Sequence, residues 1–209
     1  MYKSCIKRLL DLVLSLLGII VLGIPMLIVS LLIKREDPGP ALFKQKRVGL
    51  HKEHFDLLKF RSMRLDTPHD VPTHLLENPD RYILKTGRVI RRLSIDELPQ
   101  LFNILKGEMS VVGPRPALWN QFDLIAERDR YGANDVKPGL TGWAQINGRD
   151  ELEIPVKAGL DGEYVKNQSF LFDCKCFFGT FLKVLRADGV VEGGTGEMKK
   201  AGTDSEEDK

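Results

Sequence analysis

The sequence contains few cysteines, histidines and tryptophans. It has three cysteines, which are Cys5, Cys174 and Cys176, together with four histidines and two tryptophans. An odd cysteine count and a single C-x-C pair argue against a disulfide framework and against a zinc site. His69 and His74 share one stretch, but their spacing matches no familiar set of metal ligands. We therefore expect reduced thiols in a cytosolic compartment and no histidine-based metal site.

The chain also has little net charge. Its 31 basic and 29 acidic residues give +2 over 209 residues. The last nine residues (AGTDSEEDK) hold four acids and one lysine, so the remainder carries +5. This basic excess suits an anionic substrate or a membrane surface and is too small to indicate a nucleic-acid partner. The length fits one domain with a proper core, and we find no internal repeat.

One long apolar segment is present. Leu12 to Ile33 contains 22 residues without a charge. As a helix it would be about 33 Å long, against a bilayer hydrocarbon core of about 30 Å. The segment is too long for the apolar part of a secretory signal, and no A-x-A-like cleavage site follows it. It therefore predicts a membrane helix.

Two features bear on the topology of this helix. Pro25 lies past its middle, where a missing N–H kinks a helix. Cations flank both ends of the segment, and flanking cations prefer the cytoplasmic side. These cations are Lys3, Lys7, Arg8, Lys34 and Arg35. A bent, re-entrant helix that enters and leaves on one face satisfies both features, whereas its length alone favours a simple spanning helix.

The segments 41–49 and 54–61 alternate in polarity and are joined by a short polar stretch, which predicts a β-hairpin. Lys59 and Arg61 would share one face of the second strand, because side chains alternate along a strand. An ordinary solvated charge is the alternative interpretation of each. The proline-rich residues 66–80 predict a loop over the site.

Helices are predicted over the rest of the domain, at 98–105, 117–130, 153–166 and 169–186. The last is apolar with interspersed cations, as in a helix that lies along the membrane interface, although a core helix has a similar pattern. The fold class is therefore α/β, mostly helical. We divide the chain into a membrane helix (1–36), a cytosolic catalytic domain (37–190) and a disordered acidic tail (191–209).

Two adjacent carboxylates, Asp96 and Glu97, follow a cationic pair in the stretch RRLSIDELPQ. Ser94 could cap a helix with Glu97 as its capping-box partner, but Pro99 would then disturb the first turns. A helix that begins near Ile95 or Asp96 fits better and would offer its amino end to a phosphate. One carboxylate could attack phosphorus while the other holds a divalent metal. The sequence does not separate these two roles.

Arg115 lies between two prolines in the stretch VVGPRP. The prolines restrict the backbone, so the planar guanidinium would be presented with little conformational freedom. The following stretch from Lys137 to Arg149 supplies turns and Trp143. It is consistent with a loop against a base, a sugar or the membrane interface, and a buried tryptophan is the alternative.

Several stretches together resemble the bacterial sugar transferase family, the small monotopic phosphoglycosyl transferases. They are KR-x-x-D before the apolar run, KFRSM, RRLSIDELPQLFNILKGEMSVVGPRP and KPGLTGWAQINGR. The resemblance covers residues 1–190. It implies a re-entrant membrane helix and interfacial amphipathic helices at the bacterial inner membrane, with the catalytic domain on the cytoplasmic face and against phospholipid. One departure is Ile24 before Pro25, where relatives often have serine.

The resemblance also implies a reaction. A sugar 1-phosphate passes from a UDP-sugar to a polyprenol phosphate such as undecaprenyl phosphate, with Mg²⁺ required and UMP released. The step belongs to the first membrane stage of bacterial glycoconjugate synthesis and proceeds through a covalent aspartyl phosphosugar. The sugar is not identified, and both a monomer and a homodimer remain open.

By the same resemblance, Asp96 is the nucleophile and Glu97 its metal-binding neighbour. The matched basic positions near the phosphates are Lys59, Arg91 and Arg115. Arg149 and Asp161 match positions tied to nucleotide binding or to the structure of the site.

Two other functions are compatible with parts of the sequence. A membrane-anchored basic module that binds anionic lipids would explain the apolar segment and the cations. A phosphatase acting on polyprenyl phosphates would also use an aspartyl phosphate. UMP release that depends on a UDP-sugar separates the transferase from both.

Overall fold

The computed structural model describes residues 2–67, 81–148 and 152–186. The helices are α1 (Lys7–Glu36), α2 (Lys85–Arg92), α3 (Gln100–Lys106), α4 (Phe122–Asp129), α5 (Trp143–Ile146), α6 (Ile154–Asn167) and α7 (Phe170–Arg186). The strands are β1 (Leu42–Val48), β2 (His54–Phe60), β3 (Ser110–Val112) and β4 (Gly139–Thr141). Short helical turns lie at Tyr2–Ile6, Leu50–Lys52 and Ile95–Glu97. His69, His74, Arg149 and the acidic tail lie outside the described residues.

Helix α1 is long and apolar enough to cross a membrane, by length and composition. It is helical throughout, with Pro25 inside it, and the kink at that residue stays a prediction. Proline has no N–H, so Pro25 donates no hydrogen bond to the carbonyl of Val21, four residues earlier. The side chain of Val21 is exposed. One face of α1 is exposed and apolar along its whole length. Its side chains include Leu9, Val13, Leu16, Leu17, Ile20, Val21, Ile24, Leu27, Ile28, Leu31 and Leu32.

The opposite face of α1 packs on the rest of the protein. Ser15, Met26 and Ile33 are buried along this face. A Cβ atom added to Gly18 would lie 3.1 Å from the Leu101 side chain, so α1 and α3 approach closely there. Met26 and Ile33 belong to a cluster that also contains Phe60 of β2. Helix α1 is thus a component of the hydrophobic core as well as an apolar surface.

The amino end of α1 is attached by buried polar contacts. The Lys7 ammonium donates to Asp173 of α7 at 2.6 Å. The other oxygen of Asp173 accepts from the Tyr164 hydroxyl at 2.9 Å. Burial, followed by the adjacent Asp173, raises the pKa of Tyr164 far above its ordinary value, so this hydroxyl remains a donor. Lys7 therefore docks the amino end of α1 onto α7, in addition to flanking the apolar segment.

Two further residues of the amino end hold neighbouring elements. Arg8 donates to the carbonyl oxygens of Ile104 at 2.7 Å and Leu105 at 3.0 Å. It thereby adds a side-chain donor to the last carbonyls of α3, of which that of Ile104 also accepts from the Gly107 N–H at 3.0 Å. Asp11 accepts from the Ser110 hydroxyl at 3.0 Å and from the following backbone N–H at 2.9 Å. The KR-x-x-D motif therefore joins α1 to α3, β3 and α7.

A second group of polar contacts lies just after the carboxyl end of α1. Arg61, which follows β2, is only 6% exposed. Its guanidinium donates to the side chain and the carbonyl oxygen of Asp37, and to the carbonyl oxygen of Pro40. Arg61 is therefore buried at the end of α1, and its interpretation as a solvated charge is wrong.

The predicted hairpin is confirmed. Strands β1 and β2 pair in antiparallel register, with Leu42 opposite Phe60 and Val48 opposite His54. The buried side chain of Asn103 joins α3 to β2. It accepts from the Leu58 N–H at 3.0 Å and donates to the Asp56 carbonyl oxygen at 2.8 Å.

A second, two-stranded sheet pairs β3 with β4 in parallel. The residues after β3 lie against the start of β4, because a Cβ on Gly139 would come within 2.1 Å of the Gly113 nitrogen. The stretch from Lys137 to Arg149, predicted as a loop, contains β4 and the short helix α5.

Helix α7 shows features of both a core helix and an interfacial helix, the two alternatives predicted for residues 169–186. Cys176 is fully buried in the main core cluster. Phe170, Leu171, Phe178 and Leu182 are exposed. This surface is typical of a helix that contacts the domain on one side and a membrane on the other.

Candidate active site

The carboxylate pair lies in a 3-10 turn at Ile95–Glu97, ahead of α3. Ser94 has φ of 55°, in the left-handed region, and its side chain makes no capping hydrogen bond. The capping box, which Pro99 disfavours in the sequence, is therefore not formed. The short turn begins at Ile95, one of the two favoured starting positions. Helix α3 begins only at Gln100, directly after Pro99. The carboxylate pair therefore precedes α3 and is not part of it. A proline is tolerated at the start of a helix but disturbs its interior, so Pro99 sets where α3 begins.

Glu97 is held by two cations. Its Oε1 accepts from Lys59 at 3.1 Å and from Arg115 Nη2 at 2.7 Å. Its Oε2 lies 3.4 Å from Arg115 Nη1, so the guanidinium approaches as a fork. Burial opposes the charge of this carboxylate, yet Arg115 and then Lys59 hold the pKa of Glu97 well below its ordinary value. Glu97 is therefore ionised throughout the neutral range.

Asp96 differs from its neighbour. Within the described parts of the chain, its carboxylate has no hydrogen bond or ion pair, although it is partly buried. Burial, and then the adjacent charge of Glu97, raises the pKa of Asp96. Lys59, Arg91 and Arg115 act in the opposite sense from nearby. The structure thus distinguishes a carboxylate fixed by cations from one that is available.

Two of the cations are positioned by their own elements. Lys59 belongs to β2, next to the Leu58 amide that Asn103 fixes. Arg91 lies near the end of α2, where its Nε donates to the Ser62 hydroxyl at 2.9 Å. The surface-charge interpretation of Lys59 is wrong, because only 19% of its side chain is exposed in the pair with Glu97.

Arg115 is held by the rigid backbone around it. The Gly113 N–H donates to Thr141, and the Gly139 N–H donates to Pro114, each at 2.8 Å. On the other side of Arg115, the Pro116 carbonyl oxygen accepts from Arg47 at 2.9 Å. The proline-braced arginine predicted from the sequence thus has a backbone tied to β4 and to the hairpin.

The structure brings together five of the predicted residues, namely Lys59, Arg91, Asp96, Glu97 and Arg115. Three cations and two carboxylates leave a formal charge of +1, which attracts phosphate. Asp161 has a different environment. It is 1% exposed, and its Oδ2 accepts two hydrogen bonds from Arg128 of α4 at 2.6 and 2.8 Å. This ion pair supports α6 against α4.

The donor set can be tested for a magnesium ion. No group of three metal-ligating His, Cys, Asp or Glu residues occurs among the described residues. Magnesium, however, is commonly bound by one or two carboxylates, with substrate phosphates and water as the other ligands. Glu97 fits this mode when a phosphorylated substrate is present, and Asp96 beside it stays available. Glu97 would then exchange part of its contact with Lys59 or Arg115 for the metal.

Sequence reasoning did not find several residues that support the site. Asn103 and Ser62 hold the cation-bearing elements, and Asp11 holds β3. Asp11 lies in the KR-x-x-D motif, which was a usable signal. Ser62 lies in KFRSM, and Asn103 lies in the stretch that contains Asp96 and Glu97, so the resemblance marked them as well. Their contacts were not predictable, because their partners are remote in the chain.

Comparisons with known proteins identify the family of the chain. The family model described as "Bacterial sugar transferase" matches residues 2–187. The chain is 43% identical over 185 residues to the uncharacterized sugar transferase EpsL of Bacillus subtilis, covering 88% of this chain and 90% of that protein. It is 42% identical over 184 residues to the undecaprenyl-phosphate glucose phosphotransferase of Komagataeibacter xylinus, covering 83% of this chain and 35% of that protein.

A third relative is the UDP-glucose:undecaprenyl-phosphate glucose-1-phosphate transferase of Escherichia coli, 37% identical over 191 residues, with 85% of this chain and 40% of that protein covered. The chain thus spans nearly all of the first relative and less than half of the other two. A match that extends over almost the whole chain, including α1 and the carboxylate pair, establishes its family. The chain belongs to the bacterial sugar transferase family.

Proposed function

We propose that this protein transfers a sugar 1-phosphate from a UDP-sugar to a polyprenol phosphate, with undecaprenyl phosphate as the acceptor, and releases UMP. The names of two relatives point to these substrates. The single observation that carries the proposal is an available carboxylate, Asp96, beside one that cations hold ionised, Glu97. A phosphate reaching this site would meet a nucleophile within a cluster of net positive charge.

The reaction proceeds in two steps. A carboxylate oxygen of Asp96 attacks the phosphorus that carries the sugar, and the bond from that phosphorus to the UMP oxygen breaks. The acceptor phosphate oxygen then attacks the same phosphorus, which restores the Asp96 carboxylate. Two phosphorylated substrates repel one another, so a covalent intermediate allows one cationic pocket to receive them in turn.

The remaining residues stabilise charge. Lys59, Arg91 and Arg115 balance the negative charge of the phosphates and of the departing UMP. A magnesium ion held by Glu97 together with phosphate oxygens would supply further electrophilic stabilisation. Because Glu97 is ionised and bound to two cations, it keeps their side chains directed toward the site.

We propose that α1 enters and leaves the membrane on the cytoplasmic face of the inner membrane. Residues at both of its ends bond to the same domain, through Lys7 and Arg8 at one end and Asp37 at the other. A spanning helix would place its ends on opposite sides of the bilayer. The exposed apolar faces of α1 and α7 would then contact membrane phospholipid.

Cysteine labelling tests this topology. In a variant with the three native cysteines replaced by serine, single cysteines at residue 2 and after residue 35 should both resist an impermeant reagent added outside intact cells. Both should react in inverted membrane vesicles. Labelling of the residue 2 probe from outside would show instead that the helix spans.

The decisive test of the reaction uses the purified protein with a panel of UDP-sugars and Mg²⁺ but no polyprenol phosphate. Intact-mass measurement should detect one added sugar phosphate, matched by one released UMP, and peptide mapping should locate the adduct on Asp96. UMP release only when both substrates are present would favour direct transfer. An adduct on Glu97 would exchange the roles of the two carboxylates.

A further inference from the structure

The last residue of α1 contacts the first turn of α2. Glu36 Oε1 accepts from the Lys85 N–H at 2.5 Å, and Oε2 accepts from the Thr86 N–H at 2.9 Å. The first N–H groups of a helix have no partner within the helix. The residue before this helix, Leu84, offers no side-chain cap. A carboxylate from the membrane helix therefore supplies the cap, about 50 residues away in sequence.

Helix α2 is short, and its amino-terminal half packs closely against the backbone of Ser62. The Leu84 N–H donates to the Ser62 carbonyl oxygen at 3.0 Å, and a Cβ on Gly87 would lie 2.1 Å from that oxygen. One turn later, Arg91 Nε donates to the Ser62 hydroxyl. Because α2 has only eight residues, a displacement of its amino end carries through to Arg91.

The two helices also pack through apolar side chains. Ile90 of α2 is 2% exposed and belongs to the same core cluster as Met26 and Ile33 of α1. The carboxyl-terminal part of α1 thus touches α2 at its amino end through Glu36 and near its carboxyl end through this cluster. The two contacts define both the position and the direction of α2.

We propose that Glu36 is a positioning residue, which fixes the amino end of α2 and thereby places the Arg91 guanidinium beside Asp96 and Glu97. The electrostatic state of Glu36 agrees with this role. Burial opposes its charge, but hydrogen bonds from Thr86 and Lys85 lower the pKa of the carboxyl below its ordinary value. Glu36 is therefore an ionised cap at neutral pH, which also complements the helix dipole.

The consequence for activity rests on the proposed function. Loss of a helix cap typically corresponds to a change of about 3- to 30-fold in an equilibrium. We expect Glu36→Ala to slow UMP release in the half-reaction without acceptor by about this factor. Glu36→Gln keeps one acceptor oxygen and should lose less. Glu53→Ala, at an exposed glutamate in the hairpin turn, serves as the matched control and should behave like wild type.

A double-mutant cycle distinguishes positioning from a general structural effect. If Glu36 acts through Arg91, Glu36→Ala should have almost no effect in an Arg91→Ala background, because the group that it positions is already gone. Losses that multiply in the double variant would overturn the inference. Each variant is first compared with wild type for its fraction in the membrane, and Glu36→Gln replaces Glu36→Ala in the cycle if the alanine variant does not insert.

A second measurement does not depend on activity. Amide hydrogen exchange in the segment Lys85–Arg92 should be faster in Glu36→Ala than in wild type and unchanged in Glu53→Ala. Unchanged exchange in Glu36→Ala would overturn the inference, whatever the activity. If wild type releases no UMP from any UDP-sugar, the proposed reaction is wrong, while the exchange result still decides whether Glu36 holds α2.

Discussion

Two groups of buried carboxylates and cations in this protein differ in how their charges are paired. Asp161 and Arg128 form one pair in which two guanidinium nitrogens bond to one carboxylate oxygen, and both side chains are almost fully buried. In the group around Glu97, one carboxylate is bound by two cations while its neighbour Asp96 has no bonded partner in the described structure. The first group is electrically balanced, and the second is not.

This difference in charge pairing helps to distinguish a candidate active site from structural ion pairs. A buried charge without a bonded partner is costly, so proteins rarely keep one without a use for it. The balanced pair joins α4 to α6. The unbalanced group leaves a carboxylate and excess positive charge facing any phosphate that enters. Four predictions test whether the two groups differ in this way.

The largest effect is expected for Asp96→Asn, which preserves shape but removes the anionic nucleophile. Turnover should fall by at least about a thousandfold, as for other catalytic nucleophiles, while the protein still folds and inserts. UMP release and the intact-mass adduct measure this loss. The matched substitution Asp161→Asn should retain turnover per folded molecule, and equal losses in the two variants would remove the distinction between the groups.

Asp161→Asn should instead destabilise the fold. It leaves the Arg128 guanidinium buried without its counter-charge, and breaking such a pair costs about 3–5 kcal/mol. Chemical unfolding of the detergent-solubilised protein, followed by tryptophan fluorescence, measures the change. A variant as stable as wild type would indicate that water or another group replaces the carboxylate.

Arg115→Lys should have an intermediate effect on activity. Lysine retains the charge but loses the fork that approaches both oxygens of Glu97. The cost should resemble that of a lost charge-assisted hydrogen bond, roughly 1.5–3 kcal/mol, or a 10- to 150-fold lower rate. UMP release under single-turnover conditions gives the rate. Activity equal to wild type would mean that Arg115 contributes charge alone.

The smallest effects concern stability against pH, where the two neighbours should have opposite signs. The pKa of Asp96 is raised in the folded state, so its ionisation lowers stability as the pH rises through the interval between its ordinary and its raised value. The pKa of Glu97 is lowered. It therefore adds stability above its ordinary value of 4.5, and that stability is lost as the pH falls.

Unfolding of Asp96→Asn and Glu97→Gln against wild type between neutral and acidic pH measures both signs. Relative to wild type, the Asp96 variant should gain stability at neutral pH and the Glu97 variant should lose it. Both differences should shrink toward acidic pH. The same sign in both variants would contradict the assignment of an available and a fixed carboxylate.

Much of the fold was predictable because its signals are local. The apolar run predicted α1, alternating polarity predicted the hairpin, and Gly107 marks the end of α3 with φ of 94°. Predictions that depended on the start of a helix were poorer. Ser94 looks like a cap in sequence, but Pro99 delays α3 and leaves Ser94 in a left-handed turn.

The family, the long apolar segment, the adjacency of Asp96 and Glu97 and the bracing of Arg115 follow from the sequence alone, because each is a property of neighbouring residues. Only the tertiary structure decided which carboxylate is bound by cations and which is available. It also assigned Lys7 to docking and Asp161 to an ion pair with Arg128. Such assignments depend on which remote side chains meet when helices pack, and identical residue types can then be balanced in one place and reactive in another.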